Sequence, residues 1–341
     1  MAEEQDRLLF KSRRLLKAMV SPEEWFRTLE IAGVAMEVSM NELAFKVLNG
    51  PVSILNLVAY VFFAFCLFCQ RDGTDVLKQP LRALLVSLVT FMATIEIVTV
   101  VYVFYAFSHF YVMDFLLFGI ECSFTTVVWL NVFYFSQIVP PQSTFSIWLK
   151  RNIKCTVYSV MIFDKFLFLA DIPLILLWQY NINSTSTSSN TTTIQDFLVE
   201  PLAVLYFSRL VYFLLSLVVM MASSWATVSY LRRHLKNMES SRSPFTSSMH
   251  RQLRVTITGS LQAVLYFLCT TWFLLAHLLS NISHGRFDSN SYIFFTVMSM
   301  YCFGTAINVG VGQSLFRNRA VGWWHKVSDI SILRRTSVTN A

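Results

Sequence analysis

The chain has 341 residues, of which 55% are hydrophobic and only 14% are charged. A soluble domain carries about 25% charged residues, so this composition excludes an ordinary soluble globular protein and indicates a membrane protein. The net charge of +7 is distributed over several segments and is not interleaved with aromatic residues on one surface, which argues against nucleic-acid binding.

Seven apolar stretches follow one another along the chain, and each reaches the ~20 residues that an α-helix needs to cross a bilayer. They are Leu48–Cys69, Leu81–Phe107, Phe110–Val139, Cys155–Trp178, Pro201–Tyr230, Val255–Ser280 and Tyr292–Phe316. Backbone groups cannot stay unpaired in lipid, and no stretch alternates in polarity as barrel strands do. The predicted fold is an all-α membrane protein, a seven-transmembrane helix bundle.

The distribution of basic residues predicts how this bundle is oriented. Seventeen lysines and arginines lie in or at the edge of the first, third and fifth gaps and in the tail. The second and fourth gaps have none, and the sixth has only Arg286. Because loops rich in lysine and arginine stay in the cytoplasm, an odd number of spans places the N-terminus outside and the C-terminus in the cytoplasm.

Local signals predict several helix ends. Proline is tolerated in the first turn of a helix, so the first span is predicted to open at Gly50-Pro51. Pro140-Pro141 is predicted to end the third span, because proline cannot continue a helix. In the basic fifth gap, the fifth and sixth helices are predicted to extend beyond the bilayer and to join over Ser240–Ser247.

The spans divide the chain into three parts. Residues 1–47 form an N-terminal extension, residues 48–316 form the seven-transmembrane bundle, and residues 317–341 form a short cytoplasmic tail. Translation that begins at Met36 or Met40, which leaves almost no extension, is the alternative for the first part.

Three N-x-Ser/Thr sequons, at Asn183, Asn190 and Asn281, fall on the face that is predicted to lie outside. Their agreement with the charge distribution predicts that at least one of them is glycosylated. All six cysteines lie inside or at the edge of spans, so no extracellular disulfide framework is expected.

Several charged side chains lie deep in the spans, where an unpaired charge costs at least about 2.5–3.5 kcal/mol. Glu96, Glu121 and Asp171 are predicted to line one cavity that opens to the outside. Such a cavity is typical of a pocket for a small-molecule agonist.

The alternative is that these charges only stabilise the bundle. Glu121 or Asp164 then forms an ion pair with Lys165 or Arg209. For Asp164, the pair with Lys165 is the favoured interpretation.

The sequence contains no catalytic or metal-binding pattern. It has no nucleophile elbow and no phosphate-binding glycine loop, and its six histidines lack the spacing of metal ligands. The protein is therefore predicted not to be an enzyme, and to have no cofactor and no metal site.

Three segments carry a resemblance to a known family. Residues 133–138 read F-Y-F-S-Q-I and are followed eleven residues later by Leu149-Lys150, while Leu231–Met238 reads L-x-x-H-x-x-x-M. Leu265-Tyr266-Phe267 follows in the sixth span. In this order the segments resemble those of the bitter taste receptors (taste receptor type 2), which are seven-helix G-protein-coupled receptors. The resemblance covers about residues 45–320.

The resemblance implies where an agonist would bind. The ligand-binding tryptophan and asparagine of the family align with Leu116 and Ile120, so those two contacts differ here. Glu121, beside Ile120, suggests a cationic ligand, and Trp272 of the sixth span completes the set of candidate pocket residues.

The chain departs from the family at the contact between helices one, two and seven. Ser87 is followed by Leu88 where the family has an arginine, and the seventh helix lacks the family's L-I-L-G-N run. Asn56 and Asn308 are the candidates for replacing this contact.

The function predicted is a plasma-membrane receptor whose agonist shifts the bundle toward a state that binds a heterotrimeric G protein. Residues predicted to face the G protein are Lys150, Arg151, His234 and Lys236. The alternative is that these basic residues only keep their loops in the cytoplasm and so fix the topology. Alternatives for the whole protein are a vomeronasal-type pheromone receptor, a seven-span transporter or channel, and an integral-membrane enzyme.

Overall fold

The computed structural model describes the backbone of residues 40–69, 79–105, 109–141, 143–185, 192–240, 247–282, 288 and 290–325. Side chains are described within these ranges except at residues 105, 109–115, 145, 167–168, 170–203, 205–206, 239–240, 247–248, 277–278 and 280–282. Most of the predicted N-terminal extension and residues 326–341 of the tail lie outside the described residues.

The described residues form helices joined by short connections, and they contain no strand. The helices are α1 (Glu42–Phe68), α2 (Gln79–Tyr105), α3 (His109–Ile138), α4 (Thr144–Thr185), α5 (Thr192–Ser240), α6 (Ser247–Ile282), α7 (Tyr292–Gly312) and α8 (314–325). Among the residues described, six helices are long and apolar enough to cross a membrane, namely α1, α2, α3, α5, α6 and α7.

The proline signals were right for one helix end and wrong for another. Helix α3 ends at Ile138, just before Pro140, as predicted. Helix α1, in contrast, begins at Glu42, where the Asn41 side chain caps it by accepting a 3.2 Å hydrogen bond from the Leu43 backbone N–H. Pro51 therefore lies inside the helix and does not mark its start.

Some other helix boundaries differ from the predicted spans, and one matches. Helix α4 begins at Thr144, earlier than the predicted start at Cys155, and α7 ends at Gly312. Helix α8 then crosses the predicted boundary between bundle and tail at residues 316 and 317. The extension of α5 and α6 toward each other over Ser240–Ser247 is confirmed.

The seven long helices, α1 to α7, pack into a closed bundle. Each helix contacts its neighbours in the chain, α7 contacts α1, and α3 also contacts α5 and α6. In the most apolar window of α3, 83% of the residues are buried, compared with 33% for α1. Helix α3 is therefore the central helix, and its polar side chains must find partners within the protein.

Two glycines allow close approach between helices, as small residues do in membrane bundles. A Cβ atom on Gly119 of α3 would lie 3.1 Å from the Ile95 side chain of α2. A Cβ atom on Gly304 of α7 would lie 3.1 Å from Leu265 of α6. An alanine at either position would require the facing side chain to shift by a few tenths of an ångström.

The outer surface of the bundle is apolar, as expected for contact with lipid. On α1 the side chains of Ile54, Leu55 and Val58 are exposed, and on α5 those of Leu215 and Trp225 are exposed. A monomeric protein in water rarely leaves so much contiguous apolar surface uncovered. The pattern of exposure agrees with a bundle that is solvated by hydrocarbon.

A row of polar side chains on α1 forms a seam with α7. Asn49 donates a 2.8 Å hydrogen bond to the Thr296 hydroxyl, and the Tyr60 hydroxyl donates one of 2.8 Å to the Cys302 carbonyl. Asn56 lies between them and donates 3.1 Å to the Ser299 carbonyl. These α1 residues are seven and four positions apart, so they share one helix face. Polar groups that lipid cannot solvate thereby hold α1 against α7.

Candidate functional site

A buried ion pair joins the central helix α3 to α5. Arg209 Nε lies 3.3 Å from Glu121 Oε1, and the side chain of Glu121 is only 2% exposed. This pairing was one of the alternatives that the sequence left open. An arginine beside a carboxylate offsets the cost of placing either charge in the membrane interior.

A second polar layer follows one turn along α3. The Thr125 and Tyr212 hydroxyls lie 2.8 Å apart and join α3 to α5 again. Asp164 of α4 is buried against these two hydroxyls. Helices α3, α4 and α5 thus share a polar cluster that consists of Glu121, Arg209, Thr125, Tyr212 and Asp164.

The predicted pair between Asp164 and Lys165 is wrong. The two side chains form no ion pair within 4 Å, and the Lys165 ammonium lies instead 5.3 Å from the centre of the Phe91 ring on α2. Adjacent residues on a helix point about 100° apart and do not face each other. Asp164 therefore points into the bundle, while Lys165 points toward α2.

An aromatic layer lies next to the ion pair on α3. The Phe124 ring contacts Phe213 of α5 at 5.9 Å, Tyr266 of α6 at 5.0 Å and Tyr301 of α7 at 5.2 Å, all edge to face. The hydroxyls of Tyr266, Tyr301 and Thr270 are buried, and none makes a direct hydrogen bond within the described residues. Four helices therefore pack together around Phe124 in a layer that combines aromatic rings with buried hydroxyl groups.

Glu96 lies in a different environment from Glu121. It is fully buried, and its Oε1 accepts a 2.7 Å hydrogen bond from Asn56 of α1. Asn56 also contacts α7, so Glu96 belongs to the junction of α1, α2 and α7, whereas Glu121 contacts α5. The side chain of Asp171, the third residue predicted for a shared cavity, lies outside the described residues.

Asn56 and Asn308 were predicted to replace the family's polar contact between helices one, two and seven. The prediction for Asn56 is confirmed, since it bridges α1, α2 and α7. The prediction for Asn308 is wrong, because it joins α7 to α6 by donating hydrogen bonds to the Thr258 carbonyl and to Gln262 Oε1 at 2.9 and 2.8 Å. Asn308 lies on the α7 face that packs on α6.

The remaining pocket candidates lie close to these layers. Leu116 and Ile120 are buried in the core on the α3 face that packs on neighbouring helices. Trp272 is half-buried on α6, beside Phe273, whose ring lies 5.4 Å from that of Phe213. The structure thus brings Ile120 and Glu121 to the same turn as the aromatic layer.

The candidates for the G-protein-facing surface lie near the N-terminal end of α4 and the C-terminal end of α5. Lys150, Arg151 and Lys236 are exposed, and His234 is half-buried with its ring 6.0 Å from that of Tyr230. The predicted glycosylation site Asn190 lies outside the described residues, as do the side chains of Asn183 and Asn281.

The sequence reasoning missed a group of polar contacts toward the C-terminal end of α3. Asn131 of α3 donates to the hydroxyls of Ser223 and Ser224 on α5 at 2.9 and 2.7 Å. Tyr134, three residues further along α3, accepts a hydrogen bond from Gln313 at the end of α7. The signal available in the sequence was the row of polar residues within otherwise apolar spans.

Removing the Asn131 amide is expected to weaken the contact between α3 and α5. Asn131→Ala should lower the free energy of unfolding by about 1 kcal/mol, the usual contribution of an internal hydrogen bond. Thermal unfolding of the detergent-purified protein measures this change. Gln137→Ala, at an exposed position on the same helix, is the matched control and should leave the midpoint unchanged.

The chain is thus a helical membrane protein with a buried polar core and an apolar outer surface. The model of the taste receptor protein (TAS2R) family matches residues 78–319, more than half of the chain. The chain belongs to this family of bitter taste receptors, which are G-protein-coupled receptors and not enzymes. No curated protein matches the chain in a sequence comparison.

Proposed function

We propose that this taste receptor detects small molecules in the outer half of the bundle and activates a heterotrimeric G protein at the plasma membrane. The observation that supports the pocket is the ion pair Glu121–Arg209 beside the aromatic layer around Phe124. Aromatic walls with a few polar groups are typical of small-molecule sites. The hydroxyls of Tyr266 and Tyr301 are buried in the core, so an agonist would reach them only when the helices around Phe124 separate.

An agonist in this position contacts α3, α5, α6 and α7 together. It would shift the equilibrium between bundle states by the difference between its affinities for them. The polar contacts of Asn131, Tyr134 and Gln313 link α3 with α5 and with the end of α7, so opening the inner ends requires these hydrogen bonds to rearrange. The surface exposed would accept a G-protein helix in a groove with basic edges, near Lys150, Arg151, His234 and Lys236.

A calcium assay in cells that express the receptor with a promiscuous G-protein α-subunit tests the proposal. A panel of bitter compounds should contain at least one that gives a saturable response. Surface staining of the same cells is the control for delivery to the plasma membrane. Silence across the panel in cells with strong surface staining would contradict the proposal.

Glu121→Gln tests the charge in the pocket, because it removes the carboxylate and keeps its shape. For a cationic agonist we expect a potency loss of about tenfold, since a hydrogen bond to a charged group contributes about 1.5–3 kcal/mol. A neutral agonist on the same variant should lose much less. Glu42→Gln, at an exposed carboxylate of α1 that pairs with Lys46 outside the cluster, serves as the carboxylate control, and an unchanged response of Glu121→Gln to the cationic agonist would discard this role for Glu121.

We also propose that the N-terminal side of α1 faces the outside and that the connection between α4 and α5 is glycosylated. The sequons at Asn183, Asn190 and Asn281 support this orientation. Treatment with a peptide N-glycosidase should shift the receptor to lower apparent mass, and the triple Asn→Gln variant should abolish the shift. Sugar attached instead to an engineered sequon between α5 and α6 would show that the opposite topology is correct.

A further inference from the structure

A groove opens on the outside of the bundle between α2 and α4. It encloses about 630 Å³ and is lined by Gln79, Arg82, Val86, Tyr158, Ile162 and Lys165, among others. It lies on a different face of α4 from Asp164, which separates it from the polar cluster of α3, α4 and α5. We call it the α2–α4 groove.

Among the described residues, the α2–α4 groove is lined by two cations and by no acidic side chain. Lys165 has the face of the Phe91 ring as its neighbour, and it forms no ion pair with the described carboxylates. Arg82 makes one long hydrogen bond, 3.4 Å from its Nη2 to the Leu67 carbonyl. A cation in a membrane is stable when an anion or water compensates it, so both residues indicate an anionic partner.

The two cations mark the ends of a short track. Arg82 lies in the first turn of α2, and Lys165 contacts Phe91 nine residues further on, about 14 Å along the helix. A lysine side chain in a membrane extends toward the nearest polar boundary, which here is the end of α2 at Gln79. Lys165 and Arg82 can thereby approach one anionic group from opposite sides.

The surface between the two cations combines apolar side chains with the hydroxyls of Ser87 and Thr90. Ala83, Val86 and Ile162 line it, and Ile162 is 63% exposed. This combination of two positive charges and an apolar wall fits an amphiphile with one anionic head and hydrocarbon chains. It does not favour a sterol, which lacks the anion, or a free phosphate ion, which has no use for the apolar wall.

We propose that the α2–α4 groove binds an anionic phospholipid, with its phosphate between Arg82 and Lys165 and an acyl chain against Val86 and Ile162. The predicted orientation places this end of α2 at the cytoplasmic leaflet, where anionic lipids are concentrated. Such a lipid joins α2 to α4 from outside the bundle.

The test uses the full chain purified in detergent and reconstituted into nanodiscs of phosphatidylcholine with or without phosphatidylserine. Lipid retained after detergent washing is measured by mass spectrometry. The wild type should retain phosphatidylserine in preference to phosphatidylcholine. Arg82→Gln and Lys165→Gln should each lower this retention about fivefold, the effect of one basic residue near a membrane surface.

Two variants separate the groove from general charge effects. Lys154→Gln removes an exposed lysine on the same helix, outside the groove, and should leave retention unchanged. Lys165→Arg keeps the charge and should restore retention. A photoreactive phosphatidylserine bound to the wild type gives a readout that needs no variant, and its crosslinks should map to α2 and α4.

Any of the following results would overturn the proposal. The first is equal retention of phosphatidylserine and phosphatidylcholine by the wild type. The second is unchanged retention in both groove variants. The third is crosslinks that map away from α2 and α4, or full displacement of the lipid by soluble glycerol phosphate.

Discussion

Arg209→Met is expected to destabilise the receptor by about 3–5 kcal/mol, because it leaves the Glu121 carboxylate buried without its cation. The two groups lie 3.3 Å apart and Glu121 is 2% exposed, so water cannot replace the guanidinium. Methionine keeps most of the side-chain volume, which limits the effect of a cavity. Thermal unfolding in detergent and the surface fraction in cells both measure the loss.

The double variant Arg209→Met/Glu121→Leu separates an ion-pair effect from a packing effect. Replacing both partners of a buried pair with apolar groups is often neutral, so the double variant should recover most of the stability. Lys46→Met is the matched control, since Lys46 is exposed and pairs only with the exposed Glu42. A double variant that is less stable than Arg209→Met would show that the pair does not act as a unit.

Asn56→Leu is expected to cost about 1–3 kcal/mol, since it removes the donor to a fully buried carboxylate. Asn56 bonds Glu96 at 2.7 Å and the Ser299 carbonyl at 3.1 Å, so one substitution affects α1, α2 and α7 together. The unfolding midpoint of the purified protein reports the change.

The companion variant is Asn56→Leu/Glu96→Leu. If Glu96 is the group that needs Asn56, removing its charge as well should restore stability toward the wild-type value. Asn152→Leu, the same substitution at a half-buried position of α4 away from the junction, controls for the added apolar volume. Equal losses in the single and double variants would mean that the bond to Ser299, and not the one to Glu96, determines the effect.

Much of the architecture could be predicted from the sequence because its signals are local. Length and hydropathy indicate the helices, Pro140 ends α3, and the polar segment over Ser240–Ser247 separates α5 from α6. The start of α1 could not be predicted from Pro51, because the competing signal was a single capping residue, Asn41, in a segment that was assigned to the extension.

The partners of the buried polar groups were harder to predict because they depend on helix rotation. Hydropathy shows that Glu121 and Asp164 need compensation, but not which face of each helix points where. Glu121 pairs with Arg209, 88 residues away, while Asp164 and Lys165, adjacent in the chain, point apart. Asn56 and Asn308 were both expected at one junction, and only Asn56 lies there.

Helix α5 runs without interruption from Thr192 to Ser240, roughly 74 Å at 1.5 Å per residue. That is more than twice the ~30 Å of a hydrocarbon core, so the helix extends beyond the lipid. Arg209, which forms the ion pair with Glu121, and Lys236, near the C-terminal end, lie on this one helix. A slight tilt about the ion pair is therefore magnified into a larger sweep at the distant tip, as at the long arm of a lever.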